Sequence, residues 1–165
     1  MDAVGLYVEQ EEDTQKDKYL TFRLGEEEYG ISIKHVIEIV GILKITTVPE
    51  MPEYIKGMIN LRGKVIPVMD VRLRFGLVPR EYDERTCVIV TEIQSMLVGL
   101  IVDTVSEVAR IPEADVEPAS SLGGRSSTSF IAGIGKSGEG IKILLDVNQL
   151  IFENDAKQLS NSKQG

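Results

Sequence analysis

The stretch Ile55-Lys56-Gly57-Met58-Ile59-Asn60-Leu61-Arg62-Gly63-Lys64-Val65-Ile66-Pro67-Val68-Met69-Asp70-Val71-Arg72-Leu73-Arg74-Phe75-Gly76 decides the fold. It reads as strand, tight turn, strand and short helix. Leu61-Arg62-Gly63-Lys64 suits a two-residue hairpin turn, with Gly63 taking positive φ. Asp70 is placed to cap a helix over 71–75, and Gly76 to stop it in the left-handed conformation. Pro67 has no N–H to give a ladder, so it predicts an edge strand or a bulge, and a free edge attracts partners. The hairpin carries one long cation, Arg62, at its tip. It holds no nucleophile, no metal-ligand set and no phosphate loop, so its chemistry is that of contact.

Outward from this stretch the signal stays mostly β. Residues 19–24 alternate at period two, as a half-buried strand does, and a turn over 25–28 returns the chain along 29–33. Residues 86–93 and 96–102 make a second such pair around Gln94-Ser95, and 141–145 close the series. Many short strands at modest spacing predict sandwiches or barrels. Helices are few: a turn at 52–55 with Pro52 in its first turn, the segment after Asp70, and a C-terminal helix over 147–159 capped by Asp146, with Leu150, Ile151 and Phe152 on its buried face.

The chain also repeats itself. At an offset of 69, Gly30, Ile31, Ile33, Val36, Glu38 and Ile39 fall on Gly99, Leu100, Val102, Val105, Glu107 and Val108. At an offset of 76, Ile55, Gly57, Asp70 and Val71 fall on Ile131, Gly133, Asp146 and Val147. Two similar offsets in the same order predict a duplicated unit joined near 79–84. Each copy, of roughly 65 residues, would be marginal alone, so the two are expected to share a packed interface. The predicted organisation is a loose tail over 1–17, a first subdomain over 18–83, a second over 84–146, the helix 147–159 packed on the first, and a loose end over 160–165.

Composition narrows the function classes. The 165 residues are 42% apolar and 27% charged, ordinary for a globular protein, and the net charge is −8. An acid excess with few aromatics argues against nucleic-acid binding and against an anionic membrane surface. No apolar run nears the roughly 20 residues of a membrane span, and the first residues lack a signal-peptide pattern. The lone Cys87 cannot form an intramolecular disulfide, which fits a reducing compartment; a cytoplasmic location is expected.

Residues with chemical potential read mostly as ordinary. His35, the single histidine, has no ligand or triad partners at useful spacing. Cys87 sits among β-branched residues as a small hydrophobe. Gly135-Lys136-Ser137 lacks the earlier glycine of a phosphate loop, since position 130 is Phe130, and reads as part of a hairpin. No catalytic pair, metal site or cofactor site is predicted. Glu38 and Glu107 stand at equivalent repeat positions among β-branched residues, and each reads either as an outward-facing strand position at period two or as one polar contact in an apolar surface. Arg62 is read either as a solvated turn residue or as an arginine anchor at an interface.

These residues resemble the CheW family of chemotaxis coupling proteins. The landmarks are Gly30-Ile31-x-Ile33 leading to Val36-x-Glu38-Ile39, then Ile55-Lys56-Gly57-x-x-Asn60-Leu61-Arg62-Gly63 and Pro67-Val68-x-Asp70-Val71-Arg72. Gly99-x-x-Val102-Asp103-x-Val105 and Leu144-Leu145-Asp146 complete them, so the likeness runs from about residue 18 to 150. The resemblance implies an all-β fold of two intertwined five-stranded β-barrels. It implies a non-enzymatic adaptor that joins the cytoplasmic tip of methyl-accepting chemoreceptors to the regulatory domain of the CheA histidine kinase in membrane-anchored arrays. The receptor-binding positions it implies are Val36, Glu38, Gly57, Arg62, Val105 and Val108. The kinase-binding positions are Ile42, Ile45 and Thr46, with a second contact near Glu117 and Leu122. The competing readings are a small-ligand or enzymatic double barrel, which would need a pocket of convergent polar groups, and a small-barrel nucleic-acid binder, against which charge and aromatic content argue.

Overall fold

The computed structural model describes residues 15–122 and 129–153. Eleven strands follow in order: β1 (Lys18–Leu24), β2 (Glu27–Ser32), β3 (Val36–Gly41), β4 (Ile55–Leu61), β5 (Lys64–Asp70), β6 (Cys87–Ile93), β7 (Met96–Val102), β8 (Thr104–Arg110), β9 (Val116–Pro118), β10 (Ile131–Ser137) and β11 (Gly140–Leu145). One short helix, α1 (Val71–Arg74), follows β5.

Local chemistry sets the hairpins. The β4–β5 turn has φ of 51° at Arg62 and 89° at Gly63, and the β6–β7 turn 51° at Gln94 and 66° at Ser95. Two successive positive φ values match the right-handed twist of the flanking strands. Asn60 Oδ1 accepts the Gly63 N–H at 2.8 Å and fixes the first turn. Asp70 caps α1 by accepting the Leu73 N–H at 3.2 Å, and Gly76 ends it at φ 76°.

The strands form two sheets, in the orders β8-β1-β2-β11-β10-β9 and β3-β6-β7-β5-β4. The repeats are interleaved. The third strand of each copy, β3 or β8, pairs with the first strand of the other, β6 or β1. Each sheet also contains one parallel pair in the same register: Val68 opposite Gly99 in one, Leu144 opposite Gly30 in the other. The two repeat offsets relate these pairs to each other, so the duplication is expressed in three dimensions.

The all-β class stands, and the five-stranded barrels need a correction. One sheet has six strands, and neither closes through a continuous ladder. The chain closes them instead. After leaving edge strand β3 it crosses to the opposite edge, where Thr46 exchanges both backbone hydrogen bonds with Met58 of β4 at 2.8 and 2.9 Å. After leaving β8 it does the same, and β9 pairs with β10. Glycines allow both crossings. A Cβ on Gly57 would lie 2.1 Å from the Thr46 carbonyl oxygen, and one on Gly133 2.7 Å from that of Glu117. Both glycines follow a register shift in their hairpin.

Pro67 also needs a correction. It lies in β5, an interior strand between β7 and β4. Its partner across β4 is Met58, which directs its own N–H and C=O to Thr46, and the parallel ladder with β7 begins one residue later at Val68. No ladder N–H is asked of Pro67. The expected helix at 52–55 is a single turn, in which the Ile55 N–H reaches the Pro52 carbonyl. The segment after Asp146 opens as expected, with the Gln149 N–H on Asp146 Oδ1, but widens to a π-helix over Gln149–Glu153. Its expected continuation to 159 lies outside the described residues.

Two apolar clusters hold the molecule. The larger draws Phe22, Ile31, Met69, Ile89 and Leu100 from both sheets, with Leu150 of the C-terminal helical segment, and joins the repeats. The smaller, with Ile59, Ile66, Val68, Val88, Val90 and Ile101, fills the five-stranded sheet.

Candidate functional site

The mouth of the five-stranded sheet is an open cleft of about 260 Å³. Ile66, Val90 and Leu97 form its apolar floor, and Ile37, Glu38, Leu61, Arg62, Lys64 and Glu92 its rim. The β4–β5 turn projects Arg62 over this mouth, where its Nη2 donates to Glu38 Oε1 on β3. The two residues read from the sequence as polar anchors therefore hold each other. Arg62 keeps a side-chain exposure of 68% against 31% for Glu38, so the guanidinium still has donors free for a partner.

The other sheet shows what this mouth could have been. At the repeat positions of Ile66 and Leu97 stand Lys142 and Glu28, which pair through Nζ and Oε2. Arg23 Nη1 adds a bond of 2.9 Å to Glu28 Oε1. Lys142 is buried, and its hydrogen bond is the main cause holding the Glu28 carboxyl below its ordinary value. One mouth is plugged by an ion pair and the other stands open.

The remaining expected receptor positions divide. Val36 on β3 and Val105 on β8 are half-buried and pack against the cluster shared by both sheets. Val108 on β8 is 48% exposed. β3 and β8 are each the edge strand of their sheet. Gly57 is not on the surface: it is buried, and its close approach is to the chain's own Thr46. Two exposed residues were not read from the sequence as contact positions. Ile37 and Ile39 on β3 are 53% and 42% exposed. The run Val36-Ile37-Glu38-Ile39-Val40 does not alternate, and apolar residues at successive positions on both sides of Glu38 are the signal that could have found them.

Among the expected kinase positions, Ile42 and Ile45 are half-buried against the smaller cluster. Thr46 turns its side chain to solvent while its backbone covers the β4 edge. Glu117, at the repeat-related place on β9, is exposed and pairs with Lys136 at 3.5 Å. Leu122 ends a short 3-10 turn (Ala119–Leu122).

A third arrangement locks the connection between the repeats. Asp103, 6% exposed, accepts from Arg72 Nη1 at 2.7 Å, Arg80 Nη1 at 3.1 Å and the Gly25 N–H at 2.8 Å. Tyr82 donates its hydroxyl to Asp70 Oδ2 at 2.6 Å; burial, then that carboxylate, pushes the phenol far above its ordinary value. No group of three or more side chains among the described residues is arranged to hold a metal ion. No helix among them is long and apolar enough to cross a membrane.

Comparison with known proteins agrees with this architecture. The sequence matches the CheW-like domain family over residues 18–154. It is 36% identical over 149 residues to the chemotaxis protein CheW of Klebsiella aerogenes, covering 90% of each chain. It is 32% identical over 143 residues to that of Helicobacter pylori, covering 86% of each. The crystal structure of the scaffolding protein TtCheW from Thermoanaerobacter tengcongensis superposes with a TM-score of 0.76 at 40% identity, covering 82% of this chain and 92% of that one. Interleaved sheets, two glycine-backed crossings and a match across nearly the whole described length lead to one assignment: the chain belongs to the CheW family.

Proposed function

We propose that this chain is a non-enzymatic chemotaxis adaptor that couples methyl-accepting receptors to the CheA histidine kinase in the cytoplasm, beside membrane-anchored receptor arrays. The receptor tip, a helical hairpin, lays its apolar face along the edge strands, against Val36, Val105 and Val108 and the exposed Ile37 and Ile39. Arg62 and Glu38 supply polar anchors at the end of that surface. Gly57 acts through shape, by letting the crossing at Thr46 close. The kinase regulatory domain meets the crossing segment at Ile42, Ile45 and Thr46, with a second contact near Glu117 and Leu122.

The observation that carries this reading is the Arg62–Glu38 pair beside the edge strand β3 with its two exposed isoleucines. Apolar β-branched walls with an arginine at the margin are what a helix-in-groove contact uses. Signalling through such a contact requires different affinities for two receptor states, not attachment alone.

Titrating a receptor signalling-tip fragment against the chain and against Val36→Asp tests it. The variant is expected to lose receptor affinity, because the contact would bury an unpaired charge, while binding to the CheA regulatory domain stays. Unchanged receptor affinity would overturn the groove assignment.

A further inference from the structure

The repeats build the same recess twice, and among the described residues only one copy is filled. The parallel registers superimpose Asp70 on Asp146 and Ile101 on Ser32. The same offsets set Asp103 on Lys34 and Arg72 on Asn148. In the first copy the chain fills the recess itself: residues 80–86 lie across it, with Arg80 on Asp103 and Tyr82 on Asp70, and about 10 Å³ remains. In the second copy, the groove bounded by Ser32, Lys34, His35, Gly133, Asp146 and Asn148 holds about 430 Å³.

The difference has a local cause. Gly76, at φ 76°, ends α1, and the Leu77 N–H closes on the Arg72 carbonyl at 2.8 Å, which turns the chain back over its recess. Position 152, the counterpart of Gly76, is Phe152, and the helical segment runs on through Glu153. Within the described residues, which end at Glu153, the second recess is built like the first without that turn.

We propose that this groove is a docking site for an extended segment of a partner protein carrying an acidic residue two positions before a tyrosine. The filled recess is the template. Tyr82 bonds the carboxylate of Asp70, and Asp146 repeats that carboxylate, so a tyrosine hydroxyl is called for again. Arg80 bonds Asp103, but Lys34 replaces Asp103, so the charge of the incoming residue must invert. Lys34 is exposed and makes no ion pair with any described residue. His35 and Asn148 add donors at the same rim.

The test uses two synthetic peptides on the full-length ¹⁵N-labelled chain: residues 77–86 as they stand, and the same peptide with Arg80→Glu. The Glu peptide is expected to shift the amide signals of Lys34, His35 and Asn148 and to bind more tightly than the Arg peptide. Replacing its tyrosine by phenylalanine weakens it, and Lys34→Asp in the protein reverses the preference between the two. Equal binding of both peptides, or no shift at these amides, would overturn the proposal. So would a shift of the same amides on deleting residues 2–14, since the groove would then be covered by the chain's own end. A shift that grows with protein concentration alone would assign it to a second copy and overturn it too.

Discussion

Arg62 at the β4–β5 turn is hydrogen-bonded to Glu38 on β3, so one ion pair ties the two ends of the five-stranded sheet across its open mouth. The sequence places these residues 24 positions apart and in different strands. Exposed pairs of this kind contribute about 1 kcal/mol or less to stability, so the pair is better explained by what it presents than by what it holds.

Arg62→Ala is expected to leave the melting temperature nearly unchanged and to weaken receptor-fragment binding by about 2 kcal/mol, the range of an arginine hot spot. Arg62→Asn separates charge from backbone, because asparagine accepts the left-handed φ of 51°. Both variants should bind equally poorly in calorimetric titration. Full binding by the asparagine variant would show that the turn, not the guanidinium, matters.

Gly57→Ala is expected to act through the fold. Its methyl would sit 2.1 Å from the Thr46 carbonyl oxygen at a φ of 146°. Separating these atoms breaks the Thr46–Met58 bridge, and a loss of about 3 kcal/mol or more in urea unfolding is expected. A stable variant with defective receptor binding would instead place Gly57 in the contact itself.

Asp103→Ala leaves the half-buried Arg72 only its bond to the Val78 carbonyl and frees Arg80 from Asp103. Removing one member of a buried ion network costs about 3 kcal/mol, and the released segment 77–86 should become the first site of limited proteolysis. Cleavage elsewhere at an unchanged rate would contradict the lock described for Asp103.

Glu28 gives a pH signature. Lys142 and Arg23 hold its carboxyl below the ordinary 4.5. A depressed folded-state pKa stabilises above the unfolded value, and that contribution is lost as pH falls through the folded one. Glu28→Gln should therefore lower the melting temperature at neutral pH, with Lys142 left unpaired, and the gap to the unaltered chain should close as the pH drops below 4.5. A constant gap would mean that the pair does not titrate with folding.

What was legible in the sequence was local. The hairpin turns, the Asp70 and Asp146 caps and the stop at Gly76 follow from residues within a few positions of one another, and each stands in the structure; the duplicated unit was legible because its two copies keep the same order of apolar and glycine positions. The interleaving of the repeats through β3 and β8 was implied by the family resemblance alone, because pairing Val40 with Val88 or Leu20 with Val108 leaves no mark in either strand's own pattern. Pro67 misled for the same reason: its tolerance depends on where Met58 sends its hydrogen bonds. β9 is three residues long and carries no periodicity at all. For the site, Glu38 and Arg62 could each be singled out by charge in an apolar setting, but their pairing could not.

The most direct measurement is a reconstitution of receptor signalling fragment and CheA, with kinase autophosphorylation followed as this chain is added. The receptor is expected to change kinase activity when this chain is present and not without it, and Arg62→Ala to abolish the change while the kinase alone stays active. Receptor control of the kinase in the absence of this chain, or no control in its presence with both partners active, would contradict the adaptor role.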